Sequence, residues 1–595
     1  MNALTGSDST SRTPTKNWSS LLDIGLILVP VILGSFLVNP FSDFPIDDDW
    51  SYGRTVKHLL ETGDFRPLQF TPAPMLTNIL WGGLFCLLNG FSFTALRVST
   101  FAAAVIGLCG LYVLVREQRG PPWLAILVCL MLGLNPIYFE LTHTFDTDVL
   151  FIALCVWSAV FFSRALRHHS DFYQFIGTVV AFAATFSREL ALCIPVAFGI
   201  SSLLGHRISA RTLLRSAYPL LVCAVAFFAF RNWLFNSSRL PSLLDAKTSE
   251  LLLAFQAPWT FLETVLSNAF VISVYMGLFL SPVLLICVFE LARGKTWRAS
   301  LLSQPKVAVG SAIVGLALLV CGAALRASYG GVSYDSAVSQ GKAVVLPITG
   351  WYIQKSGLGP PSLPDMWVHP APELPRMLWI TLTMIAVLGA LALLAGVITY
   401  TRRTVTELRH AETNDVPDRV RLFLTFASLF YLLPLFLATV FDDRYLIPSV
   451  PLIAVVLISG STSVSRSILG TTTLRVIAGS MIVASGFGAI CGTHDYLEFN
   501  RVRWTTLRNL MRDQHVSYAE IDGGWEFNGF YQYNPNFRGP PIDPFHPERT
   551  KDFWVKNDTY RIAFGGLPGY RIIETNTYSH WLPPYRQELV LLRRE

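Results

Sequence analysis

Three consecutive carboxylates, Asp47, Asp48 and Asp49, stand in Phe44-Pro-Ile-Asp-Asp-Asp-Trp-Ser-Tyr52, directly after a long apolar run. A second acidic stretch, Phe139-Glu-Leu-Thr-His-Thr-Phe-Asp-Thr-Asp-Val149, places Glu140, His143, Asp146 and Asp148 between two more apolar runs. Charge at the mouth of an apolar segment is expensive to hold, so it usually has a task. Three tasks are open to these groups: general base towards a hydroxyl, ligand of a divalent cation, or solvated loop charge. If a cation is held, Asp48 and Asp148 are the candidate ligands. Asp148 also opens a helix, where an anion suits the dipole and a cap is needed. Capping would not account for His143 and Asp146. Arg188, in Phe186-Ser-Arg-Glu-Leu190, and Arg444, in Asp442-Asp-Arg-Tyr-Leu-Ile-Pro448, offer forks that match phosphate. The bland alternative is local pairing, Arg188 with Glu189 and Arg444 with Asp442 or Asp443. Lys342 and Lys355 are weaker cationic candidates.

The elements that carry these residues must be membrane helices. Hydrophobic residues make up 52% of the 595 and charged ones only 14%, where a soluble chain carries about 25% charge. The expected fold is an all-α polytopic membrane protein of about thirteen transmembrane helices. The spans are read as 21–38, 95–115, 122–139, 149–163, 172–186, 189–204, 213–235, 263–290, 307–326, 376–400, 421–440, 445–461 and 474–491. The alternating ten-residue segments of a barrel are absent. The net charge of +6 is scattered over short loops, which speaks for topology and against a nucleic-acid partner. The nine cysteines lie in or beside apolar segments without metal-like spacing.

Segment 76–92 is apolar but short, and Asn78, Gly82, Gly83 and Asn89 interrupt it. Read as an interfacial helix anchored by Trp81 and Phe85, it lets nearly every short Arg/Lys-rich loop fall on one, cytoplasmic, side. The chain then divides into a cytoplasmic tail 1–20, a multi-span domain 21–491 and a C-terminal extracytoplasmic α/β domain 492–595. Outer loops 39–94 and 327–375, the second acidic loop, Arg188, Arg444 and the tail converge on one outer face. In the tail, 504–512 reads as a helix and 517–521 and 588–592 as strands. Trp525, Tyr531 and Tyr533 read there as core packing before sugar stacking.

This order of features resembles the GT-C superfamily of integral-membrane glycosyltransferases: a first span, an outer-loop acidic pair with Tyr52 beyond it, an interfacial helix, a second acidic outer loop, and a late Arg444-Tyr445-x-x-Pro448. The branch it looks most like is that of protein O-mannosyltransferases and lipid A aminoarabinose transferases. The likeness is best over 21–235, looser to 491 and weak in the tail. It implies a polyprenyl-phosphate sugar donor and a lipid, glycan or protein acceptor, with transfer at the outer face of the bilayer and a bacterial inner membrane as the home. It also implies Asp48 as the catalytic carboxylate, with Asp47 or Asp49 in that role if the register slips by one. Asp148 is the implied second-loop acid, and Arg444 and Tyr445 stand near the donor phosphate. Tyr52, His143, Asp146 and Arg188 complete the candidate substrate site. A Glu-Lys-Pro element is missing after the first loop, where Phe70-Thr-Pro-Ala-Pro74 stands instead, a departure that leaves the donor sugar and the use of a divalent metal ion, the one cofactor considered, open. A flippase or transporter of lipid-linked glycans, and a non-catalytic scaffold of envelope assembly, are the alternatives. Transporters favour charge at mid-membrane and repeated halves, and neither is evident.

Overall fold

The computed structural model describes residues 17–204, 209–245, 258–293, 305–328, 345–360, 362–409, 418–438, 441–461, 472–537 and 554–595. Its helices begin with α1 (Asn17–Val38), α2 (Asp49–Thr62), α3 (Leu76–Asn89), α4 (Phe93–Glu117), α5 (Pro122–Gly133) and α6 (Pro136–Leu141). They continue with α7 (Asp148–His168), α8 (Asp171–Thr185), α9 (Cys193–Leu203), α10 (Ala210–Asn236), α11 (Pro258–Phe279) and α12 (Ser281–Arg293). The last are α13 (Pro305–Ser328), α14 (Arg376–Arg409), α15 (Arg419–Phe436), α16 (Ser449–Ser461), α17 (Thr472–Asp513) and α18 (Trp525–Gln532). Eight helices among the described residues are long and apolar enough to cross a membrane. The polytopic helical fold therefore holds, while a count of thirteen is not established.

The departures have local causes. The run 122–139 breaks at Asn135, whose side chain accepts the N–H groups of Ile137 and Tyr138 at 3.0 and 3.2 Å and so starts α6. The run 263–290 breaks at Leu280, where Ser281-Pro282 begins α12. Segment 76–92 folds as the 14-residue α3, only about 21 Å long at 1.5 Å per residue. Leu80, Leu84, Leu87 and Leu88 on it are exposed, whereas Ile79, Gly82 and Cys86 are buried. Trp81 does not anchor it outward: its indole N–H donates to the Ser99 carbonyl of α4 at 2.8 Å.

The boundary expected at 491 falls inside α17, a single 42-residue helix. The apolar span continues without a breaker into the polar segment from His494 onward, so 504–512 is its last part rather than a new helix. Onto this extension packs a four-stranded sheet of β3 (Ile521–Asp522), β4 (Tyr560–Ala563), β5 (Tyr570–Trp581) and β6 (Pro584–Arg594), in the order β3-β4-β6-β5. Strands β3 and β4 are parallel; the other pairs are antiparallel. The strand expected over 517–521 is reduced to β3, after a 3₁₀ turn at Tyr518–Glu520. Asp495 of α17 accepts the N–H groups of Trp581 and Leu582 at 2.7 and 3.0 Å, tying the β5–β6 hairpin to the helix. Earlier in the chain, in the loop before α14, β1 (Ile353–Gln354) pairs with β2 (Gly357–Leu358) as a hairpin, and Leu358 fills the space beside Gly492 of α17.

Candidate active site

The acidic loops meet around one guanidinium. Arg444 lies in the 3₁₀ turn Asp443–Leu446, where the Asp442 carboxylate caps the turn by accepting the Arg444 N–H at 3.0 Å. Its Nη1 reaches Asp47 at 3.1 Å and pairs with Asp146; its Nη2 reaches Asp48 at 3.4 Å. Its Nε faces Asp442 at 3.0 Å. So the local pairing with Asp442 exists, but three acids from two distant loops share the same cation. Tyr352, just before the 353–358 hairpin, accepts from Arg444 Nη1 at 2.9 Å and donates to Asp47. The backbone under Tyr352 is held in turn by Asp443, which accepts the N–H groups of Tyr352 and Ile353 at 3.1 and 3.0 Å.

The triple aspartate divides its work. Asp47 has a positive φ of 53°, a conformation few non-glycine residues adopt. This turn sends Asp47 and Asp48 towards Arg444 and Asp49 the other way. Asp49 accepts the Ile46 N–H at 2.6 Å and the Phe145 N–H at 3.4 Å. It is 1% exposed and ties the first acidic loop to the second. Asp48 occupies the N-cap position of α2 without a side-chain cap bond. Its side chain keeps 17% exposure, more than Asp47 at 12% or Asp146 at 1%.

Asp148 opens α7 but forms an ion pair instead of a cap. Arg188 grips it with two nitrogens, at 2.8 and 2.9 Å, and donates a third bond to Thr147 at 2.7 Å. The alternative pairing of Arg188 with Glu189 is thus replaced by a fork on Asp148. Tyr52 is buried, close enough to Asp146 and Asp48 to feel their charge. Tyr445 lies under the Arg444 guanidinium, 5.8 Å from carbon to ring centre. His143 is placed elsewhere: its ring bonds the Phe139 carbonyl at 2.7 Å and Ser35 of α1 at 3.0 Å. Burial pushes its pKa down to about 4, so it is a neutral packing residue. Lys355 is half-exposed opposite Glu373 at 3.7 Å, and Lys342 lies outside the described residues.

One guanidinium faces four carboxylates, and the surroundings are dry. Burial, then the neighbouring charge of Asp48, push the Asp47 pKa well above its ordinary value, against the pull of Arg444. Burial does the same to Asp442 and Asp443. Burial and then Asp146 raise Glu140, whose Oε2 has no hydrogen-bond partner among the described residues. Carboxylates of raised pKa are stronger bases, so the cluster is suited to taking a proton. It is less suited to a metal. Asp148 is filled by Arg188 and Asp48 faces Arg444, and no group of three or more His, Cys, Asp or Glu able to hold a metal ion is found among the described residues. The arginines supply the positive charge that a cation would have brought to Asp48 and Asp148.

Tyr352 and Glu526 had no place in the sequence reading. Glu526 accepts the Asp47 N–H at 3.2 Å. Tyr352 lay in a Gly/Pro-rich loop, where its one signal was an aromatic pair, Trp351-Tyr352, flanked by glycine. Glu526 had no signal but an acid following Gly523-Gly524-Trp525. Beside the 353–358 hairpin, on the side of the C-terminal sheet, a cavity of about 250 Å³ is lined by Gln354, Gly359, Tyr496, Phe499, Tyr578 and His580, among others.

The site thus sits among the loops of a bundle that contains eight helices of membrane-spanning length among the described residues. Residues 72–235 match the family model described as dolichyl-phosphate-mannose-protein mannosyltransferase, which bears out the resemblance over that stretch. The match takes in Asp146, Asp148 and Arg188; the triple aspartate and Arg444 lie beyond it. Among solved structures, the chain is similar to ArnT from Cupriavidus metallidurans bound to undecaprenyl phosphate, with 12% identity, 97% of this chain and 98% of that one covered, and a TM-score of 0.38. The apo form of the same protein gives 12% identity, 98% of each chain and a TM-score of 0.36. The Archaeoglobus fulgidus oligosaccharyltransferase tethered with an acceptor peptide gives 11% identity, 92% of this chain, 69% of that one and a TM-score of 0.41. No curated protein matches the chain.

Proposed function

We propose that this protein transfers a sugar from a polyprenyl-phosphate donor to an acceptor hydroxyl or amine at the outer face of the membrane. The observation that carries the reading is the convergence of Asp47, Asp48 and Asp146 on Arg444, from three loops far apart in sequence. Asp48 is the base. Its 3.4 Å contact is the longest of the four that Arg444 makes, and its side chain is the most exposed of the three loop acids. When the donor binds, its phosphate takes over part of the Arg444 fork. Asp48, released, accepts the proton of the acceptor as the acceptor attacks the anomeric carbon. The C1–O bond to phosphate breaks, and the phosphate leaves with that electron pair against Arg444. One displacement inverts the anomeric centre. Arg188 holds Asp148 in a fork, so Asp148 orients rather than reacts.

The test is release of polyprenyl phosphate from radiolabelled polyprenyl-phosphate sugars by purified full-length protein, compared with Asp48→Asn. Loss of a general base removes roughly 10²–10⁴-fold in rate, so Asp48→Asn should release at or near background while eluting and melting as wild type does. Near-normal release by a folded Asp48→Asn would refute the assignment and move the base to Asp47.

A further inference from the structure

The triple aspartate is gripped from the far end of the chain. Glu526, in the first turn of α18, lies 479 residues from Asp47 and accepts its N–H at 3.2 Å through Oε1. The same oxygen accepts the Ser362 hydroxyl at 2.8 Å. Oε2 accepts from Arg503 Nη2 at 2.7 Å, and that nitrogen also bonds Asn500 at 2.7 Å. Glu526, Arg503 and Asn500 are all 0% exposed. Around this grip, Trp50 is enclosed by Phe70, Trp525, Tyr533 and Trp554 with ring centres 5.2–6.2 Å from its own. Helix α18 lies flush on it: a Cβ on Gly529 would come within 2.4 Å of the Trp50 indole.

Two facts speak against mere packing. A buried ion pair such as Glu526–Arg503 is a poor source of stability, because desolvation offsets most of the attraction. And the N–H it reaches belongs to Asp47, whose φ of 53° is a conformation that persists only where the surroundings over-determine it. That backbone turn decides that Asp47 and Asp48 point to Arg444 while Asp49 points away.

We infer that Glu526 is a positioning residue for transfer. It clamps the Asp47 backbone, and through it the direction of the Asp47 and Asp48 carboxylates, without touching substrate. The C-terminal module is thereby part of the active site. The role in transfer rests on the function proposed above; the clamp itself does not.

The experiment uses full-length protein carrying Glu526→Ala or Glu526→Gln, with amide hydrogen exchange over the segment containing Asp47, thermal melting and the transfer assay side by side. Glutamine keeps an oxygen for the Asp47 N–H and the Ser362 hydroxyl but no charge for Arg503. Both variants therefore lose the ion pair, and only alanine loses the clamp. The expected result is faster exchange at Asp47 in Glu526→Ala, by about tenfold. Its kcat should fall by roughly 10–100-fold at unchanged donor KM. Glutamine should restore most of both, although its melting point also drops. Wild-type exchange in Glu526→Ala overturns the clamp, and so does a Glu526→Gln variant that exchanges as fast and transfers as slowly as Glu526→Ala. If wild type transfers from no donor, the proposed function fails; the exchange arm still decides the clamp.

Discussion

At the scale of single residues the site is a contest between burial and charge. Asp47 carries a pKa raised by burial first and by Asp48 second. A folded-state value above the unfolded one means that the folded protein binds more protons in the interval between them. Stability contributed by this group therefore falls as pH rises through that interval, and acidification from neutral pH relieves the cost. Activity should run the other way, because protonated Asp47 no longer helps to hold Arg444 and a protonated base accepts nothing. The expected signature is a transfer rate that declines on mild acidification while the melting temperature holds or rises. Parallel loss of both would refute it. Arg188 makes a second case. Arg188→Ala leaves Asp148 buried without its partner, a change that costs about 3–5 kcal/mol. Replacing both by leucine should recover much of the melting temperature but not transfer. Full recovery of transfer in the double variant would exclude Asp148 from the site. His143 carries the lesson that a histidine between acids can be a core residue, because helix α1 offers it Ser35.

Elements set how closely the loops can approach. Helices α11 and α14 cross backbone to backbone: a Cβ on Gly277 would lie 2.2 Å from the Ala386 carbonyl oxygen, and one on Gly389 would lie 2.2 Å from that of Gly277. Small residues at such crossings permit close packing where lipid supplies no hydrophobic drive. No flexible side-chain end can give way here, so the helices must separate. Gly277→Ala should cost about 1–3 kcal/mol, read as a lower melting temperature in detergent, and Gly277→Leu should cost more. The neighbouring Gly396, whose Cβ would meet only Leu457 at 3.8 Å, is the control, with little change expected on Gly396→Ala. Equal losses at both glycines would remove the crossing as the cause. The long α17 acts at the same scale: by running unbroken from the apolar span into the C-terminal module, it ties the 353–358 hairpin, α18 and the sheet to one rod.

For the whole molecule, sidedness is the decisive property. The ion pairs of Arg444 and Arg188 gather at the end of the helices where α7 begins and α8 closes, which α18 reaches through Glu526. The Arg/Lys loops predict that this end is external. A reporter fused after Glu595 should then report the extracytoplasmic side, while one inserted at His169, in the α7–α8 turn, should report the cytoplasm. The opposite pattern would place the site where an outer-leaflet donor could not reach it.

Much of this was legible in the chain alone, for physical reasons. Twenty-residue apolar runs declare membrane helices whatever they pack against, and the placement of Arg and Lys declares their sides. The triple aspartate, Asp146, Asp148, Arg188 and Arg444 were visible as charges that an apolar chain would not keep without use. Their pairing was not visible. That Arg444 binds three acids from two other loops, and that Arg188 turns from its neighbour Glu189 to Asp148, depends on how α1, α7 and the turn before α16 converge. Short-range pattern holds no trace of contacts hundreds of residues apart. Tyr352 and Glu526 show this most plainly: one in an irregular loop, the other in an outlying module, they acquire a role only because tertiary packing puts them against Asp47. Local sequence determined that the chain is a bundle of apolar helices with its charges in the connecting segments, because length and hydropathy are local; the fold alone decided which charge holds which.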